Sequence, residues 1–102
     1  MRRLALLIFL LLVGAGGPTE VIVIMTRQGF DPPQVEIDRG TTVEFHRRDP
    51  GPGTWRLVSG DGAIESWPFE HLTQWSHRFT RKGTFELFIA EHPETRIRVR
   101  VR

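Results

Sequence analysis

Residues 83–102 read GTFELFIAEHPETRIRVRVR and contain two runs in which apolar and polar side chains alternate. Phe85, Leu87 and Ile89 are the alternating apolar positions of the first run. In the second run, residues 96–102, isoleucine and valine alternate with arginine. Alternation with a period of two is typical of a β-strand with one buried face and one solvated face. The stretch therefore predicts two strands that flank a corner at residues 91–94.

Five further runs of strand length lie upstream, separated by turn-forming glycine, proline and aspartate. They are residues 21–25, 35–37, 41–46, 55–58 and 75–79. The first of these is apolar on both faces, whereas the others alternate. Residues 64–74 lack a clean period, so we expect an irregular segment with a single helical turn. About seven short strands without a long helix predict an antiparallel β-sandwich.

The composition fits one globular domain and excludes several kinds of site. The 102 residues are 39% hydrophobic and 25% charged, which leaves room for one core and no second domain. The chain contains no cysteine. This excludes disulfides, thiolate zinc sites, iron–sulfur clusters, cysteine nucleophiles and copper centres that use a thiolate ligand.

The first 17 residues have the pattern of a secretory leader. Arg2 and Arg3 precede an apolar run at residues 4–13, and small residues follow at 14–17. This pattern predicts a signal peptide at residues 1–17 and a mature domain at residues 18–102. The apolar run is shorter than the roughly 20 residues of a membrane-spanning helix. We therefore expect export to the periplasm or the cell exterior, with a retained N-terminal membrane anchor as the alternative.

The charge balance gives no indication of a nucleic-acid partner. Without Arg2 and Arg3, 12 basic residues stand against 12 acidic residues, so the mature domain is formally neutral. Four arginines on one face of the last strand could dock an acidic partner or anionic lipid headgroups. The neutral balance favours cross-strand ion pairs with Glu36, Asp38 or Glu44 instead. These arginines are Arg96, Arg98, Arg100 and Arg102.

Three segments of the chain resemble a cupredoxin. The first is GFDP at residues 29–32, followed by VEIDRGTTVEF at residues 35–45. The second is WSHRFTRKGTF at residues 75–85, and the third is IAEHP at residues 89–93. The resemblance covers about residues 20–102. It implies a cupredoxin-like, Greek-key β-sandwich of seven to eight strands.

The resemblance also implies where a copper site would lie. A type 1 copper site uses two histidines, one cysteine and a weak axial methionine. The matching positions are Trp55, Ile89, His92 and Thr95, of which His92 alone keeps the ligand residue type. We therefore expect no cofactor and an apolar plug in which Trp55 and Ile89 fill the place of the metal. On this register, Trp55→His, Ile89→Cys and Thr95→Met together are expected to give an intensely blue cupric protein.

The histidines give only a weak metal-site prediction. His92 is either a remaining ligand beside Glu91 or Glu94, or a solvated turn histidine, and the second interpretation is favoured. None of the other histidines has the spacing of a chelating pair, although a composite site assembled by folding stays open. Those residues are His46, His71 and His77.

Three aromatic residues are candidates for contact with a partner. Trp67 and Phe69 lie in the irregular segment, and strand alternation directs Phe88 outward. Aromatic residues contribute much of the energy of protein interfaces. Trp75 is expected in the core.

The preferred functional hypothesis is an exported cupredoxin-fold binding or accessory module that lacks a type 1 copper site and has a protein partner in the cell envelope. One alternative is a copper-binding periplasmic electron-transfer protein with an atypical site around His92. Another is a membrane-anchored subunit of a larger envelope complex. An enzyme is not expected, because the sequence has no Ser-His-Asp spacing, no glycine-rich phosphate loop and no paired acid and base.

Overall fold

The computed structural model describes residues 19–102, so the leader predicted at residues 1–17 lies outside the described part. The described residues form eight strands in two four-stranded sheets. The strands are β1 (Glu20–Thr26), β2 (Gly29–Asp31), β3 (Gln34–Ile37), β4 (Thr41–Arg47), β5 (Leu57–Ser59), β6 (Gln74–Phe79), β7 (Gly83–Ile89) and β8 (His92–Val101). The first sheet has the order β2-β1-β4-β6 and the second the order β3-β8-β7-β5. This Greek-key β-sandwich confirms the predicted fold class.

The strand pairing is mixed, and two of the pairs are parallel, although the alternation is typical of antiparallel sandwich strands. Strand β1 runs parallel to β4, and β3 runs parallel to β8. Pro32 and Pro33 interrupt the chain after β2, and β3 then joins the second sheet. Because the chain changes sheets between consecutive strands, strands distant in sequence become neighbours, and hairpin geometry no longer fixes their direction.

Alternation places the core where the sequence predicts it. Val35 lies opposite Val99, and Ile37 lies opposite Val101, all with their side chains buried. In the first sheet Phe45 is fully buried and stacks on Trp75, with ring centroids 5.8 Å apart. The run at residues 21–25 is apolar on both faces of β1. Its inner face is buried, whereas its outer face is partly open to solvent, with Ile22 52% exposed.

Residues 64–73 are irregular, as expected for residues 64–74. The expected helical turn is absent, and residues 70–73 form a hydrogen-bonded turn instead. Phe69 pairs with Trp55 as an isolated antiparallel bridge, and Glu65 pairs with Val58. Two reciprocal backbone hydrogen bonds, of 3.0 and 2.9 Å, join Trp55 to Phe69. The segment lacks a clean period because it adds only single bridges to the edge of β5 instead of a full strand.

The arginines of β8 form ion pairs, as the charge balance favoured. Two of them reach Glu86, and the other two reach Glu36 and Asp38. Glu44 is not part of this set, because it lies on the other sheet and pairs with His46 at 3.0 Å. Within residues 19–102 no helix is long and apolar enough to cross a membrane.

Candidate functional site

One end of the sandwich gathers the positions that the sequence singled out. It is built from residues 47–56, residues 64–73 and the turn from β7 to β8 at residues 89–92, and we call it the loop end. Trp55 lies at the loop end, two residues before β5 begins, and His92 is the first residue of β8. Most of the predicted functional residues lie on these three segments.

Trp55 and His92 are in contact at the loop end. The indole ring of Trp55 is 4% exposed and meets the imidazole of His92 edge to face, with centroids 5.5 Å apart and planes at 78°. The carboxylate of Glu91, one of the two expected neighbours of His92, accepts a 2.8 Å hydrogen bond from the backbone N–H of Arg56. Its other oxygen lies 3.6 Å from the Arg56 guanidinium. His92 is therefore an imidazole packed against an aromatic ring.

The other two positions that match copper ligands, Ile89 and Thr95, direct no metal-binding atom toward His92. Ile89 is fully buried and lies opposite Leu57 across the pair β5–β7. The hydroxyl of Thr95 donates a 2.9 Å hydrogen bond to the carbonyl oxygen of Arg27. The structure thus brings together three of the four positions, because Trp55 contacts His92 and Ile89 pairs with His92 across the turn. It assigns Thr95 to a structural hydrogen bond.

A buried cation occupies the loop end, and the sequence analysis missed it. Arg47, the last residue of β4, has 0% exposure. Its guanidinium carbon lies 3.9 Å from the centroid of the Trp55 ring, a close cation–π contact. Burial lowers the pKa of Arg47, and the nearby carboxylates of Asp49, Glu91 and Glu70 oppose that shift. A guanidinium nevertheless keeps its charge at any physiological pH.

Three backbone carbonyl groups surround the guanidinium. Nη1 donates to the carbonyl oxygens of Gly53 at 2.9 Å and Phe69 at 3.1 Å, and Nη2 donates to that of Gly51 at 3.1 Å. The Nε–H is buried and has no hydrogen-bond partner among residues 19–102. Arg47 therefore fastens the loop at residues 51–53 to the segment that contains Phe69.

The prediction of a wholly apolar plug is therefore wrong in one respect. Trp55 and Ile89 are packed as expected, but a charged side chain lies against the ring of Trp55. The alternation along β4 contains a signal for the burial of Arg47. Every second residue of this strand is buried, at Thr41, Val43 and Phe45, and Arg47 is the next residue in that series. The strand expected at residues 41–46 stops one residue short of Arg47, and arginine is almost never fully buried unless it is paired.

Asp49 shapes the loop that Arg47 holds. Its carboxylate accepts hydrogen bonds from the backbone N–H groups of Gly51 at 2.8 Å and Arg27 at 3.2 Å. The hydrogen bond from Gly51 is the largest cause of the lowered pKa of Asp49. A Cβ at position 51 would lie 2.9 Å from the Asp49 oxygen, so a larger residue there would displace that carboxylate.

The remaining histidines do not converge on His92. His46 binds Glu44 at 3.0 Å through Nε2, and the Nδ1 of His71 lies 2.7 Å from the carbonyl oxygen of Asp49. His77 lies between the aromatic rings of Trp75 and Phe79 on the inner face of β6. Within residues 19–102, no group of three or more histidine, aspartate or glutamate side chains is placed to hold a metal ion.

The candidate contact residues differ in exposure. Trp67 is 62% exposed, as expected for a contact residue, and Phe88 is half-buried on the outer face of β7 beneath Arg96. Phe69 is 3% exposed, so its prediction as a surface contact is wrong, because its bridge to Trp55 turns it into the core. Leu72, which the sequence analysis passed over, is 61% exposed and has a φ of 64°.

Solved structures with the same architecture are cupredoxins or contain cupredoxin domains. A purple cupredoxin from Nitrosopumilus maritimus is 21% identical, with 80% of this chain and 99% of that chain covered and a TM-score of 0.71. A mutant of amicyanin in its reduced Cu(I) form is 20% identical, with 84% of this chain and 85% of that chain covered and a TM-score of 0.69.

A copper-containing nitrite reductase from Thermus scotoductus SA-01 is 27% identical at a TM-score of 0.71, with 83% of this chain but only 23% of that chain covered. No protein-family model and no curated protein matches the sequence. The structural likenesses establish that the fold is cupredoxin-like, as the sequence resemblance implied.

The loop end does not fit the copper ion that this fold implies. The side chains of Trp55 and Ile89 offer no oxygen or sulfur donor, and the indole N–H can only donate. His92 is the one imidazole at the matched positions, and the oxygen of Thr95 is engaged with Arg27. A buried guanidinium against Trp55 adds positive charge where a cation would need negative charge or lone pairs.

Replacing Arg47 tests its structural role. Arg47→Met removes three hydrogen bonds and the contact with Trp55, and it leaves the Phe69 carbonyl without its side-chain donor. We expect the free energy of unfolding to fall by about 3 kcal/mol, measured by urea denaturation. The control is Arg48→Met at the exposed neighbouring position, where we expect a change below about 0.5 kcal/mol. Equal losses in the two variants would contradict this role.

Burial of His77 predicts a pH dependence of stability. Burial lowers the pKa of His77 below its ordinary value of 6.5. The unfolded chain therefore binds a proton at this residue more readily than the native protein. The stability contributed by neutral His77 is complete above pH 6.5 and is lost as the pH falls toward the lower folded-state value. Denaturation curves should show a smaller loss on acidification for His77→Gln than for the wild type, and an equal loss would count against the assignment.

Proposed function

We propose that this cupredoxin-like domain is an exported, copper-free and non-catalytic binding module that docks a protein partner of the cell envelope through its loop end. The observation that carries the proposal is that Trp67, 62% exposed, projects from a loop end whose copper positions are filled by packed Trp55 and Ile89. Tryptophan is among the residues that most often dominate protein interfaces. A loop end with an exposed tryptophan and packed apolar side chains is suited to binding another protein.

The docking surface includes a second large apolar residue. Leu72 is 61% exposed and lies with Trp67 on the segment at residues 64–73. Its left-handed backbone conformation, with a φ of 64°, costs a leucine about 1–2 kcal/mol. The Leu72 N–H donates a 2.9 Å hydrogen bond to the carbonyl oxygen of Arg47, which holds the strained residue in place. An exposed, strained leucine contributes nothing evident to the fold, which supports a role in binding.

The other parts of the proposal rest on the sequence. Export follows from the leader pattern at residues 1–17. The lack of a nucleophile motif and of a glycine-rich phosphate loop in the sequence supports a non-catalytic role. Phe88, partly covered by Arg96, extends the contact candidates onto the outer face of β7.

Partner capture with matched variants tests the docking surface. The domain at residues 18–102 is immobilised and incubated with the native envelope fraction, and recovered proteins are quantified by mass spectrometry. Trp67→Ala is expected to lower recovery of the specific partner at least tenfold, the loss that corresponds to about 1.4 kcal/mol of binding free energy. Ile22→Ala is the control, because Ile22 is also exposed, at 52%, but lies on β1 away from the loop end.

Two results would contradict the proposal. One is equal recovery of every protein by the wild type, Trp67→Ala and Ile22→Ala. The other is that the wild type recovers nothing beyond what an unrelated immobilised β-sandwich recovers.

Leu72→Asn separates binding from stability. Asparagine tolerates the left-handed region better than leucine, so thermal unfolding should show stability that is unchanged or higher by about 1 kcal/mol. Partner recovery should fall at the same time, because the apolar side chain is lost. If Leu72→Asn recovers the partner as well as the wild type does, Leu72 is not part of the docking surface.

A further inference from the structure

The loop end contains a permanent positive charge that no acidic side chain neutralises directly. Among residues 19–102, no carboxylate oxygen lies within ion-pair distance of the Arg47 guanidinium. The groups in direct contact with it are three carbonyl oxygens and the face of the Trp55 ring. The carboxylates of Asp49, Glu91 and Glu70 act on it only from beyond ion-pair distance. Carbonyl oxygens and aromatic faces stabilise a cation while leaving its net charge in place.

The contacts of Arg47 are those of a cross-linking ion. Gly51 and Gly53 lie on the loop that follows β4, and Phe69 lies on the segment that precedes β6. A single group bonded to both fixes the two loops relative to each other, as a structural metal ion does through its ligands. The guanidinium is attached to β4 covalently, so no ion has to be acquired from solution.

We propose that the guanidinium of Arg47 takes the place of a metal ion at the loop end and excludes any metal cation from it. The exclusion is electrostatic, because a second cation beside the Trp55 ring would meet a fully buried positive charge in a region of low dielectric constant. The absence of copper is thus determined by a residue present as well as by ligands missing.

This proposal changes the expectation for a rebuilt copper site. Replacing the side chains at the matched positions supplies donors, but the charge of Arg47 stays within reach of position 55. Ligand substitutions alone should therefore give weak copper binding, contrary to the expectation drawn from the resemblance. Strong binding should require neutralisation of Arg47 as well.

The test compares three rebuilt proteins that share one donor set. The set is Trp55→His with Ile89→Cys, combined with native His92, because the Trp55 ring contacts that imidazole and Ile89 pairs with His92 across the turn. Thr95 is left unchanged. The first protein keeps Arg47, the second adds Arg47→Lys, and the third adds Arg47→Gln. Lysine keeps the charge without the planar fork, whereas glutamine keeps a hydrogen-bond donor without the charge.

Copper affinity is measured by competition with a chelator, circular dichroism verifies that each protein is folded, and the visible spectrum reports thiolate ligation. We expect the Arg47→Gln protein to bind copper at least tenfold more tightly than the other two, which should resemble each other. If Arg47→Gln does not fold, Arg47→Met supplies the neutral member of the comparison.

Two results would overturn the proposal. Equal affinity in all three proteins, including no binding in any of them, shows that the charge does not control metal access. If the Arg47→Lys protein binds copper as tightly as the Arg47→Gln protein, the charge does not exclude copper. The size and planar shape of the arginine side chain would then be responsible. The docking surface is tested separately, by Trp67→Ala and Leu72→Asn, in which Arg47 is unchanged.

Discussion

The geometry of the loop end depends on the guanidinium of Arg47. This group is fully buried, lies 3.9 Å from the centre of the Trp55 ring and donates to three carbonyl oxygens on two different loops. A buried cation without an ion-pair partner costs free energy, so it persists only where hydrogen bonds and an aromatic face compensate. Here those compensating groups are also the groups that form the loop end. The position of Trp55, the bridge to Phe69 and the path of the exposed segment that follows are therefore coupled to one side chain.

Much of the fold could be predicted from the sequence, because alternating burial leaves a direct trace in residue order. The two alternating runs at residues 83–102 form β7 and β8 as expected, but β8 already begins at His92, inside the corner predicted at residues 91–94. The four arginines are paired as the charge balance favoured. Strand direction could not be predicted, since the period of a strand does not specify its neighbour. The parallel pairs of β1 with β4 and of β3 with β8 follow from the passage of the chain between sheets.

The site was harder to predict than the fold. Absence of a thiolate is visible in the composition, and the packing of Trp55 and Ile89 followed from their apolar character. Burial of Arg47 follows the phase of β4 but opposes the usual behaviour of arginine. The side chain is buried nevertheless, because three backbone carbonyl oxygens accept its hydrogen bonds. Phe69 was wrongly expected at the surface, because its burial depends on the bridge to Trp55. Leu72 was not singled out, because its exposure depends on its backbone angle. No periodicity in the sequence encodes either feature.

In this cupredoxin-like fold the loop end is held by the guanidinium of Arg47, which is fully buried and bonded to two loops. The most direct test is metal analysis of the protein purified from its native source without added metal, followed by dialysis against a copper chelator. The account predicts copper far below one ion per chain and no visible absorption band. Stoichiometric copper that survives the chelator, with the residues of the loop end unchanged, would contradict it.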